Sequence, residues 1–392
     1  MSEWKEVKLG DYIDMTNGYA FKSKSFVNRG IPVLKIKNIK TNKIIIEDID
    51  YISADDNNPR YTIIKPNDLI ITMTGNRIDG SPETWVGKVA LFNLDGKYFL
   101  NQRLSIIRVK KDLVNLLFIL YSLTTIDAQK YFITHATSSG GQANISPDIV
   151  KNFTIKLPSY IIQSEIAGIL SSLDAKIETN NKLNEKLEEM AQAIFKSWFV
   201  DFEPFKDKPF HETEIGYIPQ IFESGVLGDL CTFKRGKGLL SKDAIFGNVP
   251  VIAGGMKPAC YHNIANTKAP VVTVSGSGAN AGYTQIHNVD VWASDCSFID
   301  SNCENLYYVY CFLSRRPKLL RHSQTGAAQP HVKPADIHRF QVVIPTKDVI
   351  NEFQQIVKPL FDRIGMNKKE NDRLASLRDT LLPRLMSGEL IV

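Results

Sequence analysis

Nowhere in the 392 residues do two prolines stand side by side. The Asn/Asp/Ser-Pro-Pro-aromatic signature of an adenine methyltransferase is therefore missing. So is the Gly-x-x-x-x-Gly-Lys-Ser/Thr loop that cradles nucleotide phosphates. Seven histidines are scattered without H-E-x-x-H spacing. His331 and His338 flank a proline, which suits a shared metal poorly. Glu3-x-Lys5 and Glu6-x-Lys8 imitate half of a nuclease motif, but no acidic partner precedes them so near the start. Cysteine is sparse, with five residues and no C-x-x-C pair, which argues against a disulfide framework or a zinc site and fits a reducing cytoplasm. The N-terminus has no apolar run of the signal-peptide kind. The longest apolar stretch, Leu113 to Leu123, is too short for a membrane span, which takes roughly 20 residues; it reads as a buried helix.

What remains is ordinary for a globular chain: 43% hydrophobic, 23% charged, formal net charge +5. The mild basicity is compatible with a polyanionic partner without demanding one.

The chain is written twice. Thr137–Pro158, TSSGGQANISPDIVKNFTIKLP, slides onto Ser323–Pro345, SQTGAAQPHVKPADIHRFQVVIP, pairing Gln142 with Gln329, Phe153 with Phe340 and Pro158 with Pro345 at a constant shift of 187 (345 − 158). The shift holds through the following segment, where Ile166 falls on Phe353, Leu173 on Leu360, Ile177 on Ile364, Leu187 on Leu374 and Ile194 on Leu381. Asn180 coincides with Asn367, and Asn184 with Asn371. The module starts also match: Trp4-x-x-x-x-Leu9-Gly10-Asp11 resembles Phe222-x-x-x-x-Leu227-Gly228-Asp229, at a shift of 218 (228 − 10). The second copy is thus the shorter one, since its shift falls from 218 at the start to 187 at the end, and the two middles look dissimilar. Like frames around unlike interiors suggest one job done on two different targets.

From Ile161 to Val200 no proline intervenes, and apolar residues recur at 166, 169/170, 173, 177, 187, 190, 194 and 198, a heptad seam. Such a helix is about 60 Å long at 1.5 Å per residue. Val349 to Met386 repeats the pattern, with Pro359 breaking its first turns and Pro383 near its end. Each could be an ordinary core helix of its own module. The length and the mid-seam asparagines favour two helices packed on each other, because a polar residue in a seam sacrifices stability for register. Connectivity favours an antiparallel pair, with Asn180 near Asn371 and Asn184 near Asn367, although the connecting segment permits a parallel one. The expected organisation is mixed α/β (α+β): recognition module 1–158, long helix 159–202, linker 203–221, recognition module 222–345 and long helix 346–392, with a pseudo-two-fold internal repeat.

Several phrases together resemble a known family. These are Trp4…Leu9-Gly10-Asp11, Gly30-Ile31-Pro32-Val33-Leu34-Lys35, and Gln142-x-Asn144-Ile145 before Pro158. Gln163-Ser164-Glu165-Ile166-Ala167 and the run Ala193-Ile194-Phe195-Lys196-Ser197-Trp198-Phe199-Val200-Asp201-Phe202 complete the set. They are similar to the specificity (S) subunits of type I restriction–modification systems, over essentially the whole chain. The resemblance implies that each module reads one half of a split double-stranded DNA target. The helices set the spacer and dock two methyltransferase (M) subunits, which bind S-adenosylmethionine and flip the target adenine. Restriction (R) motor–nuclease subunits join them, using ATP and Mg²⁺. No catalytic residue, cofactor or metal is implied for this chain. The alternative is a coiled-coil scaffold without DNA specificity.

Residue chemistry nominates the contacts. Arginine, asparagine and glutamine have the donor geometry to read base edges, and lysine and hydroxyl groups suit phosphate. In the first module these are Lys35, Lys37, Asn38, Thr74, Asn76, Arg77, Gln142 and Asn144. In the second they are Arg235, Lys237, Ser275, Ser277, Asn280, Gln329 and His331. Val274-Ser-Gly-Ser-Gly-Ala-Asn-Ala-Gly282 reads either as a tight turn between strands or as a small-residue loop that approaches DNA, and Thr72–Arg77 plays the same part in the first copy. Every such residue has a bland rival as a solvated lysine or a turn-capping asparagine.

Overall fold

The computed structural model describes residues 4–56, 58–77, 81–110, 114–139, 141–316 and 331–392. The chain divides into two compact units, Met1–Lys176 with Arg373–Val392, and Ile177–Asp372. Each unit therefore takes part of both long helices, so a module and the helix stretches beside it form one body. No helix among the described residues is long and apolar enough to cross a membrane.

In the first unit the central sheet runs in the order Val89–Leu91, Leu69–Thr72, Leu104–Val109, Ile13–Asn17, all antiparallel. Leu69, Ile70, Ile71 and Thr72 are all buried, because the sheet is covered on both faces. Successive side chains alternate, so Leu69, Ile71 and Ile107 pack with Phe118 and Phe132 of the helices. Ile70 and Ile106 face a second sheet through Leu34 and Leu100. In that second sheet Ile31–Leu34 runs parallel to Tyr98–Leu100. Within the apolar stretch read from the sequence, Leu116–Thr124 forms a helix that is buried from Phe118 to Leu123. Asn115 starts it by accepting from the N–H groups of Leu117 and Phe118 at 2.9 and 3.1 Å.

The second unit repeats this frame. Its sheet order, Thr284–His287, Val271–Ser275, Cys296–Ile299, Lys234–Arg235, matches the first strand for strand. Val249–Ile252 runs parallel to Trp292–Ala293 as Ile31–Leu34 does to Tyr98–Leu100. The dissimilar middles therefore share this strand order and this parallel pair. The sequence carries a signal of it: Val249-Pro-Val-Ile falls on Ile31-Pro-Val-Leu at a shift of 218 (249 − 31), the shift of the module starts. Gly10 and Gly228 serve one purpose. A Cβ on Gly10 would stand 2.8 Å from Lys151 Cβ, and one on Gly228 would stand 3.2 Å from His338 Cβ, so each glycine lets its turn lie against a short helix.

The long helices span Tyr160–Phe199 and Lys347–Ser387, and they pair antiparallel. Asn180 Nδ2 donates to Asn371 Oδ1 at 2.8 Å, and Asn367 Nδ2 to Asn184 Oδ1 at 2.8 Å. The internal shift of 187 turns one bond into the other, donor onto donor. Both donors are about 1% exposed. Asn180 also reaches Glu370, and Asn371 reaches Asn181. In the first unit Asp174 accepts from Arg378 at 2.7 Å and from the Tyr121 hydroxyl at 2.8 Å.

Several expectations are corrected. Met190 lies outside the seam, 52% exposed, and Ala191 fills the place beside it, while of the pair 169/170 Leu170 is the buried one. Pro359 does not break the second helix. It and Gln355, whose carbonyl loses its partner, lie on the exposed face, where water takes over the hydrogen bond. Residues 203–221 are no loose linker. Phe202 turns the chain at φ 54°, Phe205, Ile218 and Phe222 enter the core, and Phe210–Thr213 pairs with Gly216–Pro219. The second helix ends at Ser387 rather than running to 392.

His287 Nε2 lies 2.9 Å from Thr273 Oγ1. Burial, with Lys368 adding to it, pushes its imidazole from 6.5 down to about 4. A histidine with a depressed folded pKa carries fewer protons folded than unfolded. Its contribution is therefore complete above pH 6.5 and is lost as the pH falls toward 4. Denaturation of the chain across that window will show falling stability, and His287→Gln will flatten that part of the curve. Asn180→Ala will cost about 1 kcal/mol in denaturant titration by removing its bonds to the half-buried Glu370 and Asn371. The double change Asn180→Ala/Asn371→Ala will cost less than the two single losses added together.

Candidate nucleic-acid interface

In each unit a central strand ends in a polar turn that is tied to a second segment. In the first, Thr74–Gly75 pairs with Gln142–Asn144, which pairs in turn with Thr137–Ser139. Ile145 N–H donates to Met73 O at 2.9 Å, and Met73 N–H to Arg103 O at 2.9 Å. In the second, Ser277 bridges His331, Val332 N–H donates to Gly276 O at 3.0 Å, and Gly276 N–H to Asp295 O at 3.1 Å. His331 falls on Asn144 at the helix shift of 187 (331 − 144). The backbone scaffold is therefore the same in both, while the side chains it presents differ.

In the first module this scaffold gathers Thr74, Asn76, Arg77, Gln142 and Asn144. Thr74 Oγ1 donates to Asn144 Oδ1 at 2.8 Å, and Asn76 Nδ2 to Thr84 Oγ1 at 3.0 Å. Thr74 is buried, so it positions Asn144 rather than facing outward. Arg77 turns inward to Ala136 O at 3.1 Å, and its Nε is buried without a partner. Gln142 is exposed and accepts from Arg103 at 3.4 Å. Arg103 escapes a reading of the sequence because only the fold brings it beside Gln142.

Lys35, Lys37 and Asn38 form a separate patch. Lys35 meets Asp50 at 3.0 Å and lies 3.6 Å from the centre of the Phe26 ring. Lys37 meets Asp48 at 2.8 Å, and that bond leads in raising its pKa. The two carboxylates cancel much of the positive field. Asn38 is buried, accepting from Lys35 N–H at 2.9 Å and donating to Ile45 O at 2.8 Å. It shapes the turn and offers nothing to a ligand, which corrects its nomination.

In the second module Arg235, Ser275, Ser277, Asn280 and His331 converge. Within Val274–Gly282 the strand ends at Ser275 and the rest turns back to the strand Thr284–His287 through one short 3-10 turn at Gly278–Asn280, with Gly278 and Gly282 at φ 76° and 86°. Ser275 is buried and bonds Gly254 O at 3.2 Å, so it is structural, which corrects its nomination too. Ser277 donates to one oxygen of Asp295, and Arg235 Nη2 reaches the other. Arg235 and His331, with Lys333 and Pro334, line a groove of about 340 Å³. Lys237 is exposed near the Trp292 ring. Asn280 closes the turn, its carbonyl accepting from Tyr283 N–H at 2.9 Å. Gln329 lies outside the described residues. Asp295 and Lys333 escape for the same reason as Arg103.

One strand position separates the modules. Asn17 faces Ser105 across the first sheet and accepts from its hydroxyl at 2.5 Å. Arg235 falls on Asn17 at the shift of the module starts, 218 (235 − 17), and faces Ser297. It turns outward to Asp295 instead, and Ser297 Oγ is buried with no hydrogen-bond partner among the described residues.

A family model described as the type I restriction modification DNA specificity domain matches residues 1–189 and 219–376. The chain is 28% identical over 418 residues to the type I restriction enzyme MjaIX specificity subunit of Methanocaldococcus jannaschii, covering 100% of this chain and 94% of that one. It is 23% identical over 482 residues to the HindI specificity subunit of Haemophilus influenzae, with both chains fully covered. Among solved structures, a type I restriction–modification S subunit from M. genitalium superposes with a TM-score of 0.60 at 19% identity, covering 98% of this chain and 96% of that one. That likeness establishes the shared fold.

The two serines give opposite outcomes on truncation. Ser105→Ala removes a buried, hydrogen-bonded hydroxyl, leaves the exposed Asn17 amide to water, and will cost about 1 kcal/mol. Ser297→Ala removes a hydroxyl that has no partner and will be neutral or stabilising. Urea denaturation of the two variants reads the difference.

Proposed function

The chain belongs to the family of type I restriction–modification DNA specificity subunits, and from that premise we propose that its two modules read the two unlike halves of one bipartite duplex target. The observation that carries this reading is the repeated turn scaffold. The same backbone bonds hold Arg103 and Asn144 in one module and Asp295 and His331 in the other. Equal frames with different donors and acceptors are what two half-sites of different sequence require.

In this reading the antiparallel helices set the number of unread base pairs between the halves. Leu183, Met190, Met366 and Leu377 are exposed apolar residues along them, and such residues suit the docking of two methyltransferase subunits. The chemistry then belongs to the partners. S-adenosylmethionine sits in the M subunits, ATP and Mg²⁺ in the R subunits, and this chain performs no catalytic step. Its working compartment is the cytoplasm, where the target DNA and the partners are.

Binding measured with the methyltransferase-bound chain will weaken steeply with salt, and Lys237→Ala or Lys333→Ala will each lower the salt slope by about one. Exchanging residues 222–345 for another module will change one half of the methylated motif and leave the other intact, as methylome sequencing reads it. Adding two turns to both helices, in seam register, lengthens the pair by about 10 Å and widens the spacer by about three base pairs. Equal methylation of every sequence by the complex would leave only the scaffold reading.

A further inference from the structure

We propose that Arg235 reads a guanine in the half-site of the second module, with Asp295 and Gly276 aiming its guanidinium. This rests on the DNA-reading role proposed above and names one base of it.

The position is one where the frame has a structural solution that this module does not use. In the first module Asn17 stands opposite a buried serine and satisfies it. In the second, Arg235 stands opposite Ser297, leaves that hydroxyl unsatisfied, and sends its side chain out of the sheet. An unpaired buried hydroxyl is a standing loss, so a residue that creates one needs another reason to be there.

The guanidinium is held rather than loose. Nη2 bonds one oxygen of Asp295, whose other oxygen takes the Ser277 hydroxyl. On another side lies Gly276, where an added Cβ would stand 2.4 Å from Nη1. Of the five N–H donors of an arginine, the bond to Asp295 is the one made among the described residues. Four donors are therefore left on a side chain that lines the groove shared with His331 and Lys333, enough for a two-donor fork.

A fixed fork of two donors matches the two acceptors of a guanine, N7 and O6, on its major-groove edge. Adenine offers one acceptor beside a donor there. Phosphate also accepts a fork, but phosphate contacts are driven by net charge. Asp295 cancels the charge of Arg235 while preserving its direction, which suits a base edge rather than the backbone.

The test uses the full chain bound to its methyltransferase partners and a library of duplexes with both half-sites randomised. The unaltered complex should select a guanine in the half-site assigned to the second module. Arg235→Lys keeps the charge and loses the fork. Gly276→Ala keeps the arginine and pushes it aside. Each should reduce the preference for that guanine roughly tenfold or more and leave the other half-site unchanged. In the unaltered complex, 7-deazaguanine at that position should weaken binding similarly, with no further loss on adding Arg235→Lys; this arm needs no variant to fold for its first reading. A half-site without a guanine, or a uniform loss of affinity with the motif intact, overturns the assignment to Arg235. Selection of no motif at all by the unaltered complex overturns DNA reading itself.

Discussion

Four asparagines hold the two long helices in register where they pair within the second unit. Asn180 and Asn367 are almost fully buried, and each donates to an asparagine of the opposite helix. A slip by one turn would bury these amides against apolar neighbours, at a cost of several kcal/mol in unmade hydrogen bonds. Leucines in the same places would stabilise the pair more but would tolerate several alignments. A polar seam of this kind selects a unique alignment over a tighter one. The place that Asp174 holds in the first unit, where it meets Arg378 and Tyr121, is taken in the second by Phe361, which stacks on Tyr307 at 5.2 Å. The two ends of the helical pair are therefore chemically distinct although their backbones repeat.

Within each unit the same logic separates holding from reading. Buried bonds such as Thr74 to Asn144 and Ser275 to Gly254 fix the turn, and residues one step outward carry the variable chemistry. Arg103 and Asp295 occupy equivalent places, each lending a backbone carbonyl to the neighbouring turn. One side chain is a cation and the other an anion. The fold thus permits a reversal of charge without moving the main chain, because only the carbonyl is part of the frame.

Much of this is legible in sequence wherever a repeat makes it visible. The shift of 187 exposes the helices, their asparagine pairs and the match of Gln142–Asn144 with Gln329–His331, since a repeated pattern needs no knowledge of contacts. Residues 203–221 pass for a linker because spacing alone does not reveal that Phe202, Phe205 and Phe222 share one core. Asn38 and Ser275 look fit for chemistry they do not face, because polar type says nothing about burial. Arg103 and Asp295 stay inconspicuous because their importance comes from neighbours far away in the chain. The equivalence of Ile31–Leu34 and Val249–Ile252 is available at the shift of 218 and is hidden by the dissimilar segments that follow.

The division into units has a consequence for the order in which a ribosome can finish them. The second unit is a single uninterrupted stretch, 177–372. The first is not: Leu385 lies in its core, and Leu381, Leu382 and Met386 pack on that core. The module synthesised first therefore waits for the last turns of the chain before its apolar surface is closed, while the later module can close as soon as residue 372 has emerged. During translation the early half stays open at one seam, so the residues most exposed to misassembly are the oldest ones on the nascent chain.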